Sequence, residues 1–262
     1  NDPDQPLFNR CLQGTYPPGS VFKVITAAAA LDLDLYTVES QFSDSGELRV
    51  QGNPIRNFQN EVFGEHFFAD ALIQSINTTM AQVGLAVGAD NLRSYFSKWG
   101  LDQKFDFHLP ASPGDIGNPE RSQVALAWSA IGQDRVLVTP LHVAMVFTAF
   151  VNDGFVPDIT LFKRDDQPEM QQVIKAETAA LISQLLAEVV VSGTGRQALV
   201  DGIQIFGKTG TAETGKGTSH GWFGGYVFDA NGHDLAFAVL VEDGGVGGQV
   251  AAPLVSEFFT RL

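Results

Sequence analysis

Three short clusters in this chain carry hydroxyl, amide and amine side chains at spacings that suit chemistry. The first is Ser20-Val-Phe-Lys23. A serine hydroxyl is a weak nucleophile until a base takes its proton. Residues three apart on a helix share a face, so the Lys23 amine can approach the Ser20 oxygen. Lysine serves as that base when burial or a neighbouring cation lowers its pKa. A helix N-terminus under Ser20 would add backbone N–H groups for a developing oxyanion. The second cluster, Ser75-Ile-Asn77, offers a hydroxyl and an amide. By itself it equally suits a cap for a helix beginning near Thr78. The third, Lys208-Thr-Gly-Thr211, sets a lysine beside two hydroxyls, a combination suited to a carboxylate. Gly210 within it leaves space for a ligand backbone. Its bland counterpart is a polar edge strand protected by a lysine.

The elements that must position these residues are legible in outline. Pro17-Pro-Gly19 reads as a turn feeding a helix from about Ser20 to Asp32, through the Ala27–Ala30 run. Tyr36–Gly64 is turn-rich, with short strands at best. Helical patterns follow at Phe67–Gln74, Thr78–Val87 and Asn91–Trp99. Residues 102–118 read as loop. Pro119–Ser129, Leu141–Val151 and Ala176–Val191 read as helices, the last stopped by Ser192-Gly-Thr-Gly195. The character then changes. Ile203–Lys208, Gly221–Phe228 and Leu235–Glu242 are strand-like, so the third cluster ends a strand. Asp229-Ala-Asn-Gly232 is a hairpin turn signal. Val250–Leu262 closes the chain as an amphipathic helix. The expected class is α+β, an antiparallel β-sheet flanked by helices plus a mostly helical subdomain. The helical subdomain spans about 33–175, and the sheet side comprises about 1–32 and 176–262.

Composition narrows the function. With 16 Lys and Arg against 30 Asp and Glu, the net charge is -14. That balance repels nucleic acid and anionic lipid, so neither is expected as a direct partner. Cys11 is the one cysteine, which excludes an internal disulfide and reads as a buried small hydrophobe. His66, His108, His142, His220 and His233 lack metal-ligand spacing, so no structural metal is expected. The 20 Phe residues read as core filler. No stretch reaches the ~18 apolar residues of a spanning helix. The polar opening, Asn1–Pro6, reads as a start inside a larger protein.

The three clusters occur once each, in the order S-x-x-K, S-x-N, K-T-G. On them the chain resembles the transpeptidase domain of high-molecular-mass penicillin-binding proteins, within the serine D,D-peptidase and β-lactamase-like superfamily. The resemblance extends to Asn9–Lys23, Ala130-Ile-Gly-Gln133, Leu137-Val-Thr-Pro-Leu141, Gly207–Glu213 and His220-Gly-Trp-Phe223. It implies that Ser20 is acylated, Lys23 activates it and Ser75 relays a proton. It implies that Asn77 binds the substrate amide and Lys208 supplies positive charge. Thr209 and Thr211 would bind a carboxylate, and the Ser20 and Thr211 N–H groups would form the oxyanion hole. Which lysine is the base stays open. The implied partners are peptidoglycan stem peptides ending in D-Ala-D-Ala, β-lactam antibiotics and, for the full-length protein, other cell-wall synthesis proteins. The implied location is extracytoplasmic, with an anchor in the bacterial cytoplasmic membrane. In this fold two further strands usually precede the nucleophile, yet only 19 residues precede Ser20. Without those strands, Leu235–Val241 would be an unpaired apolar edge.

Other readings compete. A serine β-lactamase would share the clusters, but no glutamate for deacylation stands out, Glu120 lacking the surrounding pattern. A D,D-carboxypeptidase or a β-lactam sensor also fits. Gly202-Ile-Gln-Ile-Phe-Gly-Lys-Thr209 matches the phosphate-loop pattern of nucleotide hydrolases. Its four inner residues alternate as β-formers, and no good helix follows Thr209, so the context opposes that reading.

Overall fold

A computed structural model describes residues 7–105, 109–163, 166–215, 217–228 and 234–262. In chain order, Lys23–Asp32 forms α1. Two antiparallel ribbons follow from the turn-rich segment. One pairs β1 (Gln41–Asp44) with β4 (Gly64–Phe67), and the other pairs β2 (Glu47–Val50) with β3 (Asn53–Arg56). Then come α2 (Phe68–Ile73), α3 (Asn77–Val87), α4 (Ala89–Lys98), α5 (Gln123–Ser129) and α6 (Pro140–Val151). A small ribbon, β5 (Phe155–Pro157) with β6 (Met170–Gln172), leads to α7 (Ala176–Val191). The main sheet is β7 (Ile205–Glu213), β8 (Ser219–Val227) and β9 (Leu235–Val241), antiparallel in that order. The short α8 (Gly247–Val250) and α9 (Ala252–Thr260) end the chain.

The sheet buries both faces, and its alternation follows the two-residue period of a strand. Phe206, Trp222, Tyr226, Ala236, Ala238 and Leu240 join the large core shared with α1, α6 and most of α7. Their neighbours Ile205, Phe223, Val227, Phe237 and Val239 face the other way, against Val255 and Phe259 of α9. Aromatic stacking reinforces both layers: Phe206 lies 4.6 Å from Tyr226, and Phe223 lies 6.1 Å from Phe237, ring centre to centre. Four consecutive alanines let α1 sit at the centre with Ala27, Ala28, Ala29 and Ala30 fully buried. The α+β expectation holds. Among the described residues β9 pairs only with β8, so the outer edge of Leu235–Val241 faces no strand.

Several expected boundaries move for identifiable reasons. The third cluster does not end a strand, because β7 runs through it to Glu213. The helix expected from Ser20 begins instead as a 3-10 turn, Gly19–Phe22, and becomes α-helical at Lys23. Pro119–Ser129 is broken at Ser122, which is fully extended (φ -167°). Its hydroxyl accepts from Ala125 N at 3.0 Å and caps α5. Cys11 is exposed rather than buried, in a turn held by the Asn9 side chain. Phe residues divide: Phe22, Phe68, Phe96 and Phe147 are core, but Phe58, Phe162, Phe228 and Phe258 are exposed. The polar start at Asn1–Pro6, His108, His233 and the Asp229–Gly232 turn lie outside the described residues. Among the described residues, no helix is long and apolar enough to cross a membrane.

Candidate active site

Ser20 sits on the 3-10 turn that opens α1. Such a turn has 3.0 residues per revolution, so positions three apart eclipse. Ser20 and Lys23 therefore project from one side. The turn is pinned from three directions. Gly19 N donates to Gly132 O at 2.9 Å, Trp222 Nε1 donates to Pro17 O at 3.0 Å, and Tyr16 bridges to Val138. These contacts explain why the segments around Ala130–Leu141 and His220–Phe223 belong to the same pattern as the nucleophile segment. Gly19 has φ +54°, and a Cβ there would lie 2.6 Å from Thr211 O. Only glycine lets the turn and β7 come this close.

Gly210 does a different task from the one expected. A Cβ on it would lie 2.8 Å from both Pro18 O and Val21 Cγ2. The space it leaves is filled by the protein's own nucleophile turn, not by a ligand backbone.

Lys23 is fully buried beneath the cleft. Its Nζ donates to Ser75 O (2.6 Å), Asn77 Oδ1 (2.6 Å) and Ser75 Oγ (3.1 Å). Among the described residues no hydrogen bond joins the amine to the Ser20 hydroxyl, so the second cluster, not the first, holds it. Ser75 presents two oxygens at once because its backbone is left-handed (φ +62°), an uncommon state for a non-glycine residue. Asn77 does not cap α3. Its Oδ1 accepts a hydrogen bond from Lys23 Nζ at 2.6 Å, and its Nδ2 donates to Arg56 O at 2.8 Å.

Lys208 is also fully buried, and its Nζ donates to Thr209 O at 3.2 Å. Burial alone lowers its pKa to about 7. Lys23 is driven well below the usual lysine value, first by burial and then by repulsion from Lys208. Both amines are therefore biased toward the neutral form, Lys23 partly by Lys208.

The cleft above them is open and holds about 550 Å³. Ser20, Ser75, Asn77, Thr209 and Thr211 line it. The three clusters, far apart in the chain, thus meet in one cleft. Thr209 and Thr211 share a face because strand residues two apart do. Gly247 N donates to Thr211 Oγ1 at 3.2 Å.

Residues from the segment read as irregular support the site. Asp44 is buried and accepts from Thr78 Oγ1 (2.7 Å), Asn57 Nδ2 (2.8 Å), Gly46 N and Phe63 N (2.9 Å each). Asn57 Oδ1 in turn accepts from Thr78 N at 3.1 Å. This pair anchors the first turn of α3 and with it Asn77. Burial works to raise the Asp44 pKa, but the four hydrogen bonds outweigh it and hold the carboxyl below its ordinary value. The sequence signal, Asp-Ser-Gly, announces only an Asx turn.

The residues of the rival readings do not assemble the sites those readings need. Glu120 is tied to Arg93 at 2.6 and 2.7 Å. Gly202–Thr209 forms no phosphate cradle, since Ile205 onward is continuous strand with no helix after it.

The fold and this cleft define a serine acyl-transfer class. The family model for the penicillin binding protein transpeptidase domain matches residues 1–260, and the chain belongs to that family. It is 32% identical over 285 aligned positions to peptidoglycan D,D-transpeptidase PbpA of Mycolicibacterium smegmatis, covering 97% of this chain and 56% of that protein. It is 32% identical to penicillin-binding protein 3 of Bacillus subtilis, covering 93% of this chain and 38% of that one. Among solved structures, penicillin-binding protein A from M. tuberculosis, as its ceftriaxone acyl-enzyme complex, superposes with a TM-score of 0.90 at 30% identity. That match covers 99% of this chain and 63% of the other. The chain spans about half the length of the curated relatives it matches.

Proposed function

We propose that this chain is the catalytic unit of a D-Ala-D-Ala transpeptidase that cross-links peptidoglycan through an acyl-enzyme on Ser20. The observation that carries the reading is the buried Lys23 amine, three residues from Ser20 and held by Ser75 and Asn77. Neutral Lys23 accepts the Ser20 proton as Oγ attacks the carbonyl of the penultimate D-Ala. The backbone N–H groups of Ser20 and Thr211 stabilise the oxyanion. The proton passes through Lys23 and Ser75 to the leaving D-Ala nitrogen. An amine from a second stem peptide then takes the acyl group and frees Ser20. Asn77 uses one amide proton on Arg56 O and keeps the other for a substrate carbonyl. Lys208, Thr209 and Thr211 receive the terminal carboxylate. β-Lactams occupy the same place and trap Ser20. Residues 33–175 act as the helical subdomain, with the cleft between it and the sheet side. The whole protein works outside the cytoplasm, anchored in the cytoplasmic membrane among other cell-wall synthesis proteins.

The test is mass spectrometry of the chain treated with penicillin. A single penicilloyl adduct on the peptide containing Ser20 is expected, absent in Ser20→Ala although that variant melts at the same temperature. An adduct that survives in Ser20→Ala, or none on the parent, overturns the assignment.

A further inference from the structure

The segment Ser192-Gly-Thr-Gly195 reads in sequence as a helix stop, and nothing in the three clusters calls for it. In the fold it comes back to the cleft. Thr194 Oγ1 lies 2.6 Å from Thr209 Oγ1, and both side chains line the cleft beside Thr211. The Thr194 backbone is tied on each side. Its N–H reaches Ile73 O at the end of α2 at 3.5 Å, and Gly195 N donates to Val189 O at 2.9 Å. These ties hold the loop against α2 and α7 and set the hydroxyl at the cleft.

We infer that Thr194 is a positioning residue for the carboxylate wall, acting through the Thr209 hydroxyl. A hydroxyl has one proton and two acceptor positions. When Thr194 donates to Thr209 Oγ1, the Thr209 proton is released from Thr194 and points into the cleft. Thr211 is prepared in the same sense, because Gly247 N already occupies one of its acceptor positions. Two hydroxyl protons then face an incoming anion, next to the Lys208 amine that sits against Thr209 O. Thr194 adds no charge and does not touch the reacting atoms. Its contribution is to decide which way the Thr209 proton points.

This rests on the functional reading above, and the experiment separates the two. Second-order acylation rates are measured with benzylpenicillin, which carries the carboxylate, and with its methyl ester, which does not. In Thr194→Val the rate with benzylpenicillin falls about tenfold, the size of one hydrogen bond to an anion. The methyl ester rate stays at that of the parent, and Thr194→Ser restores the benzylpenicillin rate to within about twofold. Thr194→Ala repeats the measurement should valine fail to pack. Equal benzylpenicillin rates in Thr194→Val and the parent overturn the inference alone. So does an equal fall with both compounds, which marks a merely structural role. A parent protein that neither compound acylates overturns the functional reading and the inference with it.

Discussion

Asp44 and the Lys23–Lys208 pair are both buried charge-bearing groups within one core, and the protein treats them in opposite ways. Asp44 is given four donors, two of them backbone N–H groups, and its pKa is pushed down. Its charge is kept. Lys23 and Lys208 are given burial and each other, and Lys23 is pushed down by both causes. For a lysine that direction means losing the charge. Burial works against the charged form in both regions, and the difference lies in what opposes it. At Asp44 four hydrogen bonds to the charged form outweigh it, whereas at Lys208 burial acts alone and at Lys23 the like charge of Lys208 adds to it. The first region is held as a charged anchor, and the second is biased toward neutral amines, as the proposed base requires.

The largest test of this contrast is Lys23→Met. Acylation by penicillin should fall by roughly a thousandfold, as for loss of a general base. Thermal stability should fall less than in Asp44→Asn, because removing a desolvated amine offsets the hydrogen bonds lost to Ser75 and Asn77. A melting temperature that drops as far as in Asp44→Asn would mean that Lys23 is an anchor like Asp44.

Asp44→Asn should show the reverse pattern. It loses charge-assisted hydrogen bonds at a buried position, costing about 2 kcal/mol. In a chain of this size that is roughly 4–8 °C of melting temperature. Acylation falls by much less than in Lys23→Met. The depressed Asp44 pKa contributes stability that is fully present above the ordinary value of 3.8 and lost as pH falls through the folded value. Urea titrations across that acid range should be flatter in Asp44→Asn than in the parent.

The smallest effect on this contrast is read from the position of a pH profile, apart from the carboxylate binding that loss of Lys208 also weakens. Between about 7 and 10.5 the unfolded chain binds the Lys208 proton and the folded chain does not. Stability from this group therefore rises with pH across that window. Lys208→Gln should remove that rise. It also removes a repulsion that holds the Lys23 pKa down, so the acid limb of the acylation rate should move to higher pH. A limb that stays in place would show that burial alone sets the Lys23 pKa.

Order and type of the chemistry-bearing residues were legible in the chain, because short motifs report themselves without tertiary context. The long helices were legible as well, with Ala176–Val191 found at its expected bounds, since apolar periodicity is a local signal. The supports were not. Asp44, Asn57 and Thr194 lie in segments whose local composition speaks only of turns, and each acquires its place through a partner at least 13 residues away. The break at Ser122 was hidden because a serine inside a periodic run reads as helix or as cap until its hydroxyl is seen to bond.

The sequence by itself determined an α+β chain of the penicillin-binding transpeptidase family, and it pointed to Ser20, Lys23, Ser75, Asn77 and Lys208–Thr211 as the expected site. Tertiary structure decided how they divide the work. It set Lys23 against Ser75 and Asn77 rather than against Ser20, and it filled the space at Gly210 with the nucleophile turn. The reason is physical. Which groups can react is a property of residue types. Which amine loses its proton depends on burial and on neighbours within a few ångströms, and only the packed core supplies those.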